Sequence, residues 1–174
     1  DEVNFFSALC RELSISNVQP ICLEGKHNLN AKLNTLVISP DFARRVVSLG
    51  VVRDADESEA NTFESVKRAL KKAGLSLPPN PQSFVGDKPK VGVLILPGNG
   101  QPGALEDLCI QALSSDPAFS CSEQLFACLS GLALPLPNEL SKARVQAYLA
   151  TKPEVHLSLG LGALSGYLPL GSPT

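Results

Sequence analysis

Asp54 and Asp56, two residues apart in the stretch VVRDADES, are the side chains whose type and spacing best suit chemistry in this sequence. In extended backbone, residues two apart project to the same side, so the two carboxylates would meet. Two carboxylates held close repel each other. A hard cation such as Mg²⁺, or Mn²⁺ in its place, relieves that repulsion because it takes oxygen ligands. Glu57 and Glu59 add negative charge nearby. The same residues have a purely structural use, in which Asp56 caps a helix beginning at Glu57 and Asp54 faces solvent. The sequence leaves both uses open. A second acidic pair, Glu106 and Asp107, falls in the first turn of a later helix, where acids complement the helix dipole. Alternatively, one of them completes a metal site with Asp54 and Asp56. Glu106 is the expected third ligand, because its longer side chain reaches back past the helix start.

The elements that must position these residues follow from hydrophobic periodicity. Residues 46–53 (VVSLGVVR) form an apolar, β-branched run that fits a strand buried on both faces of a parallel sheet. Asp54 and Asp56 follow at its C-terminal end. Residues 57–73 read as an amphipathic helix with Phe63, Val66, Ala69 and Leu70 inward, stopped by Gly74. Residues 90–96 (KVGVLIL) form a second buried strand, adjacent to the first or nearly so, and 103–113 a helix burying Leu105, Leu108 and Cys109. Residues 1–13 predict a helix burying Phe6, Leu9, Cys10 and Leu13 against a strand that must precede residue 1. Residues 17–23 predict a short strand whose Pro20 demands an edge or a bulge. Further helices are expected over 30–38, 116–129 and 139–150, a loop over 75–89 and an irregular tail over 153–174. Strands alternating with helices imply right-handed crossovers and a mainly parallel, Rossmann-like sheet flanked by helices, in one α/β domain spanning residues 1–174. Ligands of such sheets bind beyond the C-terminal strand ends. The loops over 54–58 and 97–102 therefore share the functional edge.

Other patterns are set aside on physical grounds. Gly98-Asn99-Gly100-Gln101-Pro102-Gly103 matches the dinucleotide fingerprint, follows a strand and opens a helix. Yet it contains a proline, and the acid about twenty residues on, Glu123, sits in a helical stretch rather than at a second strand end. Lys67, Arg68, Lys71 and Lys72 read as a solvated helix face. His27 and His156 are isolated and are assigned no role, and the sequence assigns none to Lys142. The five cysteines are odd in number and form no CxxC pair, which predicts buried thiols in a reducing cytoplasm. With 44% hydrophobic and 18% charged residues the chain is globular, and a net charge of −2 lacks the basic excess of most nucleic-acid binders. No apolar run is long enough for a membrane span, and no stretch reads as a signal peptide. The chain holds no methionine and begins inside a helical pattern, so it is expected to be a fragment lacking its first strand.

Five stretches carry a resemblance: DEVNFFSALCREL, LEGKHNL at 23–29, VVRDADES, VLILPGNGQPGALEDL and SKARVQAYLATKP. Together they resemble an uncharacterised bacterial family grouped as Toprim-like, with the superfamily of topoisomerase, primase and OLD-type nuclease domains. The resemblance implies a Glu followed by Gly at the end of the first strand, expected upstream of Asp1, and a DxD at the end of a later strand. Asp54 and Asp56 take the DxD role, and together the acids hold Mg²⁺ for phosphoryl chemistry. Two positions depart from the pattern, since Gly98 and Ser58 stand where the family carries acids. The resemblance thus implies a Mg²⁺-dependent nuclease or phosphotransferase acting on nucleic acid or a phosphorylated small molecule. A non-catalytic binding or regulatory module with a degraded metal site is the alternative. A phosphatase-like site with Asp54 as nucleophile ranks last, because the DxD follows an earlier strand.

Overall fold

The computed structural model describes residues 1–171. The chain forms two compact units: residues 23–105 make one continuous unit, and residues 1–22 with the described residues from 106 onward make the other.

The continuous unit holds the sheet. Strand β1 (Ser48–Asp54) pairs in parallel with β3 (Lys90–Leu96), in a register that sets Ser48 against Lys90 and Asp54 against Leu96. Strand β2 (Phe84–Val85) pairs antiparallel with β3 on its other side, giving the order β1-β3-β2. The adjacency and parallel pairing of the two long apolar runs agree with the sequence expectation. The extent of the sheet does not. It is small and mixed, and β1 lies at its edge, half-buried, with only Val51 fully covered. The reason lies in Ser48 and Gly50, which interrupt the apolar run and leave its first half exposed. Residues 17–23 were expected as a strand and form none. Pro20 removes a ladder donor there, and Ser14 and Asn17 both take positive φ just before it. Within the expected loop over 75–89, Phe84 and Val85 do extend into a strand.

Helix α2 (Leu29–Val37) follows a 3₁₀ turn at Lys26–Asn28, and α3 (Pro40–Arg45) leads into β1. Helix α4 (Glu59–Lys72) buries Phe63, Val66, Ala69 and Leu70, the four residues expected from its 3.6-residue period. These pack with Leu29, Leu33, Val51, Val91, Val93 and Ile95 into the core of this unit. At roughly 25 cal/mol per Å² of apolar area, each such large side chain stabilises the fold by about 1.5–3 kcal/mol.

The other unit is helical: α1 (Glu2–Glu12), α5 (Leu105–Leu113, whose first residue belongs to the continuous unit), α6 (Pro117–Gly131), α7 (Leu140–Leu149) and α8 (Leu159–Leu164). Helix α1 buries Phe5 and Ala8, not Phe6, Leu9, Cys10 and Leu13, and it packs against α8. Gly160 makes the approach possible, because a Cβ there would lie 2.2 Å from the Asp1 carbonyl oxygen. The Asp1 carboxylate in turn accepts the Gly160 amide. The expected irregular tail over 153–174, of which 172–174 lie outside the described residues, is therefore partly helical, nucleated by Ser158, whose hydroxyl accepts from Leu161 N at the start of α8.

Candidate functional site

At the C-terminal end of β1 the chain does not continue as a strand. Ala55 still donates to Leu96 O at 2.8 Å, but Asp56 takes φ +52°, a left-handed conformation that Asp tolerates better than most residues. The two carboxylates take different partners. Asp54 Oδ1 accepts the amide of Leu105, the first residue of α5, at 3.0 Å. Asp56 Oδ2 lies 3.0 Å from Lys26 Nζ. Asp56 does not cap the following helix. Ser58 does, its hydroxyl accepting from Asn61 N, and α4 begins at Glu59 instead of Glu57.

The glycine loop after β3 is tied to the same end of the sheet. Asp56 and Gly103 exchange backbone hydrogen bonds at 3.1 and 2.9 Å. Gly103 holds φ +131°, which suits glycine and few other residues. The loops over 54–58 and 97–103 thus meet, as their placement after parallel strands requires. Gly98, Asn99 and Gly100 all have positive φ. The neighbouring cavity of about 450 Å³ is lined by Glu57, Glu59 and Glu64 as well as Gly100. Three carboxylates facing it would repel a pyrophosphate, which agrees with setting the dinucleotide motif aside.

Lys26 also brings a segment whose chemistry the sequence reading passed over. It follows Glu24 and Gly25, which turn the chain at φ +55° and +110°. Glu24 Oε2 pairs with Lys32 Nζ at 2.9 Å, and that hydrogen bond and charge hold the Glu24 carboxyl below its ordinary pKa. The signal was present in the sequence as Leu23-Glu24-Gly25, an apolar residue, an acid and a glycine, which reads at first sight as an ordinary turn.

Glu106 and Asp107 belong to the helical unit. Glu106 acts there on Cys109, whose thiol is pushed up to about 12 by burial and then by the Glu106 charge. Asp107 accepts the Ser141 hydroxyl, joining α5 to α7. Leu108 was expected inward and is exposed. Among the described residues no three His, Cys, Asp or Glu side chains form a group that could hold a metal ion.

The helical unit has its own polar clusters. The Tyr148 hydroxyl lies 2.8 Å from Asp116 Oδ2 and 2.9 Å from the Tyr167 carbonyl, beside a cavity of about 420 Å³. Asp116 caps α6 through Ala118 N, and the Tyr148 hydrogen bond is the chief reason its pKa is lowered. Burial, and then Asp116, raise the Tyr148 pKa. Arg144 grips Glu123 with two nitrogens and thereby ties α7 to α6. His156, isolated in sequence, meets Ser165 at 2.8 Å. This is no activated nucleophile. Glu154 approaches the same ring nitrogen, Nε2, not the one a relay would need. The amides of residues 165–167 all donate to helix carbonyls, so none of these is left for an oxyanion. Of the cysteines, only Cys109 is buried. Cys121 and Cys128 are exposed because α6 carries them on its outer face, contrary to the expectation of buried thiols.

The fold and these clusters define an α/β protein with a charged strand-end rim, in which no helix among the described residues is long and apolar enough to cross a membrane. The model of a family described as a protein of unknown function, DUF3226, matches residues 1–172, and the chain belongs to that family. No curated protein and no solved structure matches it.

Proposed function

We propose that Asp54 and Asp56 form a Toprim-type site for Mg²⁺- or Mn²⁺-dependent phosphoryl chemistry, on a nucleic acid or a phosphorylated small molecule, with Glu24 on a neighbouring turn. The observation that carries this reading is the Lys26–Asp56 contact, because it holds the Glu24-Gly25 turn beside the end of β1. The Toprim resemblance asks for a Glu followed by Gly at a strand end, and Glu24-Gly25 supplies that dipeptide on a turn, without the strand. The donors are all carboxylate oxygens, as Mg²⁺ prefers. That ion commonly takes one or two carboxylates and fills its remaining positions with water and substrate phosphate, so a three-acid cage is not required. Bound there, the ion would supply Lewis-acid polarisation of a phosphoryl oxygen and a more acidic water. The chain's own part is orientation. The Leu105 amide fixes one oxygen of Asp54, and Lys26 holds Asp56 at the rim.

A second reading is a non-catalytic binding or regulatory module. It is favoured by one specific observation: each acid already has a partner in the protein, Glu24 with Lys32, Asp54 with Leu105 N and Asp56 with Lys26. Titration calorimetry with Mg²⁺ and Mn²⁺, on the wild type and on Glu24→Gln, Asp54→Asn and Asp56→Asn, tests the proposal. Each substitution should weaken binding tenfold or more. Identical binding in all four proteins would reduce the acids to structural residues. Binding without hydrolysis of a phosphodiester such as bis(p-nitrophenyl) phosphate would select the second reading.

A further inference from the structure

Helix α6 hides one face and leaves another bare. Phe119 and Ser122 are buried, Phe119 edge-on to Tyr148 of α7, and Glu123 is gripped by Arg144, also of α7. Cys121, Leu125, Cys128 and Leu132 turn away from that packing and are exposed, Leu125 by 53% and Leu132 by 65%. Their spacing of four, three and four residues is the seam spacing of paired helices, in which side chains of one helix fit between those of the other. Exposed Leu134 and Leu136 continue the apolar surface beyond the helix end. From Pro117 to Asn138 the chain carries one charge, Glu123, and Arg144 neutralises it. A solvated helix face ordinarily carries charged and polar residues instead. We infer that α6 is a self-association surface, on which a second copy of this chain packs the same seam.

Charge decides the occupant. A nucleic acid or an anionic membrane surface is met with Lys or Arg, and residues 117–138 hold neither. A charged protein surface would lose its hydration against α6 and gain no counter-ion. A neutral, apolar face is matched by another such face, and every copy of the chain carries one. A two-fold axis through the seam sets the strip against itself, so each contact is made twice and no like charges oppose. Cys121 and Cys128 suit this packing, because a thiol behaves as a small apolar group. Area sets the strength. The 15 residues of α6 make a helix about 22 Å long and about 10 Å across. Such a strip falls below the roughly 800 Å² per partner of a stable interface. The dimer is therefore weak, with a Kd on the order of 10–100 µM.

The test is sedimentation velocity on the whole chain under reducing conditions, from ~5 to ~500 µM, a range that brackets the expected Kd. Monomer should give way to dimer across it. Leu125→Glu, at a position too exposed to threaten the fold, sets like charges against each other across the two-fold axis and should weaken association tenfold or more. Leu161→Glu, at an exposed leucine of α8, should leave association unchanged. A second measurement needs no substitution. Alkylation by iodoacetamide, read residue by residue in a mass spectrometer, should slow at Cys121 and Cys128 as wild type is concentrated, while exposed Cys22 keeps its rate. A monomer throughout the range overturns the inference. So does a dimer that keeps its strength in Leu125→Glu and leaves Cys121 and Cys128 open to the label. A monomer that floats with phosphatidylcholine vesicles also overturns it, and assigns the strip to a neutral bilayer.

Discussion

Asp54 has two separable duties, and substitution can tell them apart. Its Oδ1 accepts the Leu105 amide at 3.0 Å from a half-buried position. A hydrogen bond to a charged group contributes roughly 1.5–3 kcal/mol, and partial exposure puts this one near ~1.5 kcal/mol. A carboxylate at a helix N-terminus adds about 0.5 kcal/mol through the dipole. Asp54→Ala should therefore destabilise the protein by about 2 kcal/mol, or roughly 4–8 °C in Tm for a chain of this size. Asp54→Asn keeps an acceptor oxygen and loses only charge, so its cost should stay near 0.5–1 kcal/mol, while its effect on cation binding should match that of Ala. Urea denaturation gives the energies. Amide exchange at Leu105 gives the local reading, accelerated in Asp54→Ala and nearly unchanged in Asp54→Asn. Equal destabilisation by the two substitutions, with Leu105 exchange at the wild-type rate in both, would refute the assignment of this carboxylate as the tether of α5.

Three further outcomes follow from the packing and the shifted groups. Leu70→Ala, at a fully buried position on α4, should cost about 2–5 kcal/mol in urea denaturation, whereas Leu161→Ala at an exposed site should cost under ~1 kcal/mol. A thiol reagent such as dithionitrobenzoate at pH 8 should modify Cys121 and Cys128 promptly and Cys109 only on unfolding, because burial pushes the Cys109 thiol up to about 12. Asp116, whose pKa is depressed in the folded protein, contributes stability that is present above its ordinary value of 3.8 and is lost as pH falls through the lower folded value. Tyr148→Phe removes the main cause of that depression, so acid unfolding between pH 5 and 2 should show a shallower loss than in wild type, measured by circular dichroism.

What the sequence made legible depended on how far local pattern decides structure. Phe63, Val66, Ala69 and Leu70 recur at helical spacing and are buried, because a 14-residue amphipathic helix has essentially one way to hide its apolar stripe. The parallel pairing of the two long runs was legible for a similar reason. Helix α1 was not: Phe5 and Phe6 offer neighbouring faces, and the choice between them is made by Gly160, far away in the chain. The carboxylates of Asp54 and Asp56 were expected together on the premise that the strand continues. Backbone pairing of Asp56 with Gly103 ends it, and no local pattern announces such a pairing. Glu24 was overlooked because Glu-Gly-Lys is ordinary turn composition, and Lys26 gains meaning only from where its ammonium lands.

The carboxylate of Asp1 and the amide of Gly160 it receives are separated by 159 positions in sequence. On a ribosome adding about 5–20 residues per second, α1 emerges roughly ten to thirty seconds before the helix that covers Phe5 and Ala8. The segment 23–105, by contrast, is complete in itself when Leu105 appears. Nascent chains would then carry a finished β-containing unit behind an uncovered apolar helix until α8 emerges. That helix is the natural point of attachment for a holdase. Chains stalled before α8 has left the ribosome should be chaperone clients and protease targets, while released chains that contain it should not.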